Sequence, residues 1–214
     1  FAIVFRGHSG SRLLSEAFLQ NDFWMGRCDN KTRDAEEFAY YLKPVRKLVK
    51  HAFDYPTMAL AERGLVQQKM RDLVESSKAS CPAPQNRMAF GWKRAIGAFL
   101  IEIFLDAYPA GKAIHLIRDG RDVMLSRLRR VEEMDDPTVR QMVFGEAELT
   151  HYRGAALRDE ALRLYRNEIE MLHWVTSVRF GMRGRKYPKQ YLEVLYEDLC
   201  REPKATLTRV FDFL

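Results

Sequence analysis

Ala2 to Leu19 reads AIVFRGHSGSRLLSEAFL, and the order of residue types in it decides the fold class. Ala2 to Phe5 is a short apolar run of the kind that forms a buried strand. RGHSGS follows as a turn of small and polar residues, and Ser11 to Gln20 continues as a helix. A small-residue turn between a strand and a helix N-terminus gathers unpaired backbone N–H groups and the positive end of the helix dipole, and together these attract an anion. Ser9, Gly10 and Ser11 add hydroxyls and freedom of close approach. The nucleoside-triphosphate form of this device, GxxxxGK[ST], needs a Lys followed by a hydroxyl. Here Gly10 is followed by Ser11 and Arg12, so that signature is absent, and the cationic character lies with Arg6, Arg12 and His8.

Strand and helix signals alternate along the rest of the chain. Phe23 to Met25 is a second short apolar stretch, read as a strand. Asp34 to Phe53 carries Phe38, Leu42, Val45 and Val49 at helical spacing with Pro44 as a kink or break, and Met58 to Lys78 reads as a further helix that ends in the loop SCPAPQN. MAFGWK (Met88–Lys93) is a strand, AIGAFLIEIFLDAY (Ala95–Tyr108) an apolar helix, and KAIHLI (Lys112–Ile117) a strand. RDGRDVMLSRLRRVEE follows as loop and helix, and a helix from about Ala155 to Phe180 sets Leu162, Tyr165, Ile169 and Leu172 on one face. YLEVLY (Tyr191–Tyr196) is the last strand, and Pro203 opens a closing helix. This alternation predicts parallel α/β architecture.

With 214 residues the chain is long enough for one good-sized core. The net charge of +6 points to anionic partners, but Lys and Arg are interleaved with Asp and Glu. Interleaving marks solvated helix faces and not a nucleic-acid surface. The single compact basic run is GMRGRK, Gly181 to Lys186. Cys28, Cys81 and Cys200 are odd in number and far apart, which suits reduced thiols and neither a disulfide framework nor a metal cluster. No apolar run has the length of a membrane span, and with no targeting segment in view the cytoplasm is the expected compartment.

Two later segments add to the opening turn. In IHLIRDGRDVMLSRL (Ile114–Leu128), Arg118 follows a strand end and Ser126 lies in the next helix. A guanidinium holds phosphate in a forked geometry, while Asp119 and Asp122 cap the helix. In YLEVLYEDLCREPKATLTRVFDFL (Tyr191–Leu214), Tyr196 sits at the C-terminal edge of a strand, where open parallel sheets bind ligands. An aromatic there either stacks on a nucleobase or belongs to the core.

Together with SGSRLL and the GWK segment (Gly91–Lys93), these stretches resemble the sulfotransferases that use 3′-phosphoadenosine 5′-phosphosulfate, PAPS, over nearly the whole chain. The resemblance implies a three-layer, P-loop-like α/β fold with a central, mostly parallel sheet flanked by helices. It implies a single domain over residues 1–214, with a helical acceptor-side insertion around 30–86. PAPS is the implied sulfuryl donor, with no metal. Carried over by position, Ser9, Gly10, Ser11 and Arg12 lie against the 5′-phosphosulfate, Arg118 and Ser126 hold the 3′-phosphate, and Tyr196 lies near the adenosine. Lys93 is implied beside the transferred sulfuryl group, with His8 or Arg12 as its catalytic companion. The sequence departs from the family pattern in having His8 where Lys or Arg is usual and Arg12 where a hydroxyl residue is usual.

The resemblance leaves the acceptor open: a hydroxyl or amine of a carbohydrate, phenol or other small molecule. Its pocket is expected from residues 22–86 and from Glu132 to Arg153, and basic residues such as those in GMRGRK would draw an acidic glycan. Candidates for the base are Glu16, Asp29, Glu36, Glu37 and His51. Two other classes share these features: a catalytically inactive PAPS-binding domain, and a P-loop nucleotide kinase, which would lack its phosphate-loop Lys.

Overall fold

The computed structural model describes residues 1–128 and 159–214. The expected acceptor segment Glu132–Arg153 lies outside the described residues, as do the side chains of Leu162, Tyr165 and Ile169.

Four strands form one sheet: β1 (Ala2–Phe5), β2 (Trp92–Arg94), β3 (Ala113–Ile117) and β4 (Tyr191–Leu195), in the order β2-β1-β3-β4. Every neighbouring pair is parallel, with Ile3 opposite Lys93, Phe5 opposite Leu116 and Ile117 opposite Leu195. The C-terminal ends of the strands therefore reach one edge of the sheet together. β1 is buried throughout, as expected of a strand covered on both faces.

Strand alternation sends successive β1 residues to opposite faces. Ala2 and Val4 join a core with α2 (Lys43–Asp54), α3 (Leu60–Ala79) and α4 (Gly97–Ala107). Ile3 and Phe5 join a second core with α1 (Arg12–Leu19) and α8 (Pro203–Phe213). The result is three layers, with helices on either side of the sheet. The connections α5 (Gly120–Leu128), α6 (Asp159–Gly181) and α7 (Tyr196–Arg201) complete the described chain.

Local differences from the sequence reading have physical causes. Of the two readings of Pro44 the break holds and the kink does not: it stands in the first turn of α2, where its missing N–H costs nothing. Ahead of it, residues 34–42 hold only a 3₁₀ turn at Glu36–Phe38. Phe23–Met25 reduces to one bridge between Trp24 and Phe90, so it adds no full strand. Among the described side chains of α6, Glu170, His173, Ser177, Val178 and Phe180 are buried, while Leu172 is 41% exposed. That helix turns a polar stripe inward because it must supply a carboxylate to the buried Arg6.

Candidate functional site

The turn after β1 is built by short-range bonds. Ser9 Oγ donates to the Arg6 carbonyl and closes it. Arg6 is 4% exposed and turns inward, its Nη2 donating to Glu170 Oε2 at 2.7 Å. His8 (φ 68°) and Gly10 (φ 74°) both adopt the left-handed conformation. At Gly10 a side chain is excluded twice over: by φ, and because a Cβ would fall 2.0 Å from Tyr196 Cε2. α1 then begins after Ser11 with no side-chain cap on its first turn, which leaves that end available to an anion.

One bank of the turn comes from β3 and β4. Arg118, just past the end of β3, donates from Nη1 to the His8 carbonyl at 3.1 Å, and its guanidinium lies 4.7 Å from the centre of the Tyr196 ring. Tyr196, just past the end of β4, thus packs against both Arg118 and Gly10. Trp174 of α6 donates Nε1 to the Arg118 carbonyl at 3.0 Å and fixes its backbone. Asp119 is taken by Arg121, which holds its carboxyl down to about 2, while Asp122 Oδ2 lies 3.7 Å from Arg118 Nη2. The Arg118 Nε is buried and has no hydrogen-bond partner among the described residues. Ser126 of α5 brings its Oγ to 3.0 Å from His8 Nδ1.

The other bank comes from β2. Lys93 is only 2% exposed. Its Nζ donates to the Thr32 carbonyl at 2.7 Å, pairs with Asp34 Oδ1 at 2.8 Å and lies 3.4 Å from Ser11 Oγ. Burial pushes its pKa down, and Asp34 acts in the opposite direction. Arg12 points away from the turn, its Nη1 donating to the Lys31 carbonyl at 3.0 Å. Arg33 bonds Glu16 at 2.8 Å and Asp29 at 3.2 Å. Residues 29–34 are thereby strapped to α1 and β2.

The candidate bases fall into two groups. Glu37 is a structural hub: it is 9% exposed and accepts from the Arg27 N–H at 3.0 Å and from Ser77 Oγ at 3.1 Å. Glu16, Asp29 and Glu36 line an open groove of about 700 Å³ beside the strap, with Trp24, Arg27 and Arg33. His51 lies in the last turn of α2. The basic run at 181–186 is already matched: Arg183 and Lys186 pair with Glu102, and Arg185 pairs with Glu193. Among the described residues no helix is long and apolar enough to cross a membrane, and no group of His, Cys, Asp or Glu is arranged to hold a metal.

Seven of the nine positions that the sequence singled out therefore meet around one turn, His8, Ser9, Gly10, Ser11, Lys93, Arg118 and Tyr196, while Ser126 reaches it through His8 and Arg12 turns to the strap. Asp34 and Trp174 are additions that no motif in the sequence marks. A family model described as the sulfotransferase family matches residues 6–214. The chain belongs to the sulfotransferase family. Among solved structures, this sulfotransferase is similar to a sulfotransferase domain from the curacin biosynthetic pathway, with a TM-score of 0.52 and 16% identity over 99% of this chain and 72% of that one. It is also similar to a sulfotransferase from Alicyclobacillus acidocaldarius, with a TM-score of 0.50 and 15% identity over 100% of this chain and 79% of that one. At such identities the likeness concerns the fold, a P-loop-like α/β architecture. A comparison with curated proteins gave no match.

Proposed function

We propose that this sulfotransferase transfers a sulfuryl group from PAPS to a hydroxyl or amine of a small acceptor. One observation carries the reading: Arg118 and Tyr196, just past the ends of β3 and β4, and Lys93 of β2 converge with Ser126 on an uncapped helix N-terminus. The residues present suit a bisphosphorylated nucleotide, since the buried Arg118 Nε has no acceptor among the described residues and Gly10 leaves the turn backbone open to close approach. PAPS supplies the sulfuryl group and leaves as 3′-phosphoadenosine 5′-phosphate, PAP.

In this reading the turn at Ser9–Ser11 and the α1 N-terminus hold the 5′-phosphosulfate, with Arg12 at their margin. Arg118 and Ser126 hold the 3′-phosphate, and Tyr196 lies against the adenosine. Lys93 faces the sulfuryl oxygens and the leaving phosphate oxygen, where charge develops, and His8 is its partner across the turn. Such a transfer depends on positioning and on fixed charge, as phosphoryl transfer does. Glu16, Asp29 or Glu36 on the groove takes the acceptor proton. Residues 1–214 act as one domain, with the helical region around 30–86 on the acceptor side. Because the cations at 181–186 are all paired, a small neutral acceptor suits the chain better than an acidic glycan.

Calorimetric titration tests this directly. PAP is expected to bind, ATP with magnesium to bind more weakly, and Arg118→Ala to lower PAP affinity by about 2–3 kcal/mol, the worth of charge-assisted bonds. A preference for ATP with magnesium would contradict the reading.

A further inference from the structure

A lysine has a strongly hydrated ammonium on a flexible stem and ordinarily reaches for water. Lys93 does not; it is almost fully buried, which is costly for a charge unless it is paired. The groups that face it come from several elements: Ser11 before α1, the Phe5 ring of β1, Arg94 beside it on β2, and Cys28, Thr32 and Asp34 from the segment between α1 and α2. Arg94 disfavours the ammonium, and burial raises the Cys28 pKa and keeps that thiol protonated. Asp34 is the group in this set that supplies negative charge in contact with Nζ, at 2.8 Å.

Asp34 is itself held in place. Its backbone N–H donates to Asn30 Oδ1 at 3.1 Å, and Asn30 Nδ2 donates to its carbonyl at 2.7 Å. The next amide, Ala35 N–H, donates to the Lys93 carbonyl at 3.0 Å. Backbone and side chain of Lys93 are thus joined to the same short segment, and the pair is set before any ligand arrives.

We propose that Asp34 is the positioning residue of Lys93, holding its ammonium at the rim of the turn beside Ser11, where the sulfuryl group of the donor is to be met. This rests on the reading that Lys93 serves the sulfuryl group. Asp34 touches neither donor nor acceptor and acts through Lys93. The sign of its effect on pH follows: burial lowers the Lys93 pKa and Asp34 opposes that, so removing the carboxylate makes Lys93 lose its proton at lower pH.

The test compares the affinities of PAPS and PAP, which differ in the sulfuryl group, across pH. In the unaltered protein PAPS is expected to be preferred, and Lys93→Met is expected to abolish the preference while PAP still binds. Asp34→Asn is expected to leave PAP affinity within about twofold and to lower PAPS affinity by about tenfold, the scale of one charge-assisted bond. Its remaining preference is expected to fall off at lower pH than in the unaltered protein. Asp34→Glu, which keeps the charge, is expected to restore the preference; a folded Asp34→Glu protein that binds PAP without preferring PAPS would overturn the proposal even if Asp34→Asn does not fold. If Lys93→Met abolishes the preference and Asp34→Asn leaves it and its pH dependence unchanged, Asp34 is not the positioning residue. If Lys93→Met has no effect, the assignment of Lys93 fails first and takes the proposal with it.

Discussion

Two clusters of buried polar side chains lie close together in this chain, and they are built on opposite plans. The first surrounds the turn after β1. The second crosses the sheet from His115 of β3 to Tyr191 and Glu193 of β4 and ends on Arg185. In the second, Tyr191 Oη donates to Glu193 Oε1 at 2.8 Å, so His115 donates to Tyr191 through Nδ1 at 2.7 Å, and Arg185 meets Glu193 with two bonds at 2.7 and 2.8 Å. Gly181 closes the remaining side of the imidazole, since a Cβ there would lie 2.3 Å from the ring. Burial lowers the His115 pKa to about 4 and raises that of Tyr191. His115 Nε2 has no hydrogen-bond partner among the described residues, but it is shut in against Gly181, where a Cβ would lie 2.5 Å from it. Around the turn, by contrast, Lys93 and Arg118 come from two strands to one uncapped helix start. A displaced pKa therefore reports burial; convergent donors left for a ligand distinguish the site.

The largest effect is expected where the first cluster is anchored. Glu170→Ala removes the carboxylate from the buried Arg6, and chemical denaturation should show a loss of roughly 3–5 kcal/mol, as for other broken buried pairs. Gly10→Ala comes next: the turn must shift against Tyr196, and PAP affinity should fall about a hundredfold in calorimetry, the cost of roughly an ångström of misplacement. The matching change in the second cluster, Gly181→Ala, should lower stability by roughly 1–3 kcal/mol through overpacking. It should leave the PAP affinity of the folded protein unchanged, and a parallel loss of affinity would erase the contrast between the clusters.

A smaller effect is expected with pH. His115 has its folded pKa lowered from 6.5 to about 4, so the unfolded chain takes up the proton first as pH falls. Stability contributed by the neutral imidazole is complete above the unfolded value and is lost as pH falls toward the folded one, by about 2 kcal/mol between neutrality and pH 5. His115→Gln should flatten that slope in denaturation measured across this range. The smallest effect is expected at Arg12, whose guanidinium rests on the Lys31 carbonyl. Arg12→Ala should change PAP affinity by about 1 kcal/mol or less, as exposed pairs do, against the larger loss at Arg118.

Much of the first cluster was legible because its parts are local. AIVF is a continuous apolar run and KAIHLI and YLEVLY are mostly apolar, all three forming parallel strands, and the turn's small residues follow β1 directly. Arg118 and Tyr196 could be placed because each follows the end of a strand. Asp34 could not: it meets Lys93 only through the fold, and in sequence it reads as the acidic start of a helix that in fact begins at Lys43. The inward stripe of α6 was hidden for the same reason, because apolar periodicity points to Leu172 while the need of Arg6 for a partner points to Glu170. The matched cations at 181–186 likewise looked free until Glu102 and Glu193 were seen beside them.

The most direct test of the central claim is a crystal structure of the complex with PAP. The 5′-phosphate is expected on the turn at Ser9–Ser11, the 3′-phosphate between Arg118 and Ser126, and the adenine against Tyr196. A nucleotide bound elsewhere, or with its 3′-phosphate away from Arg118, would contradict that claim.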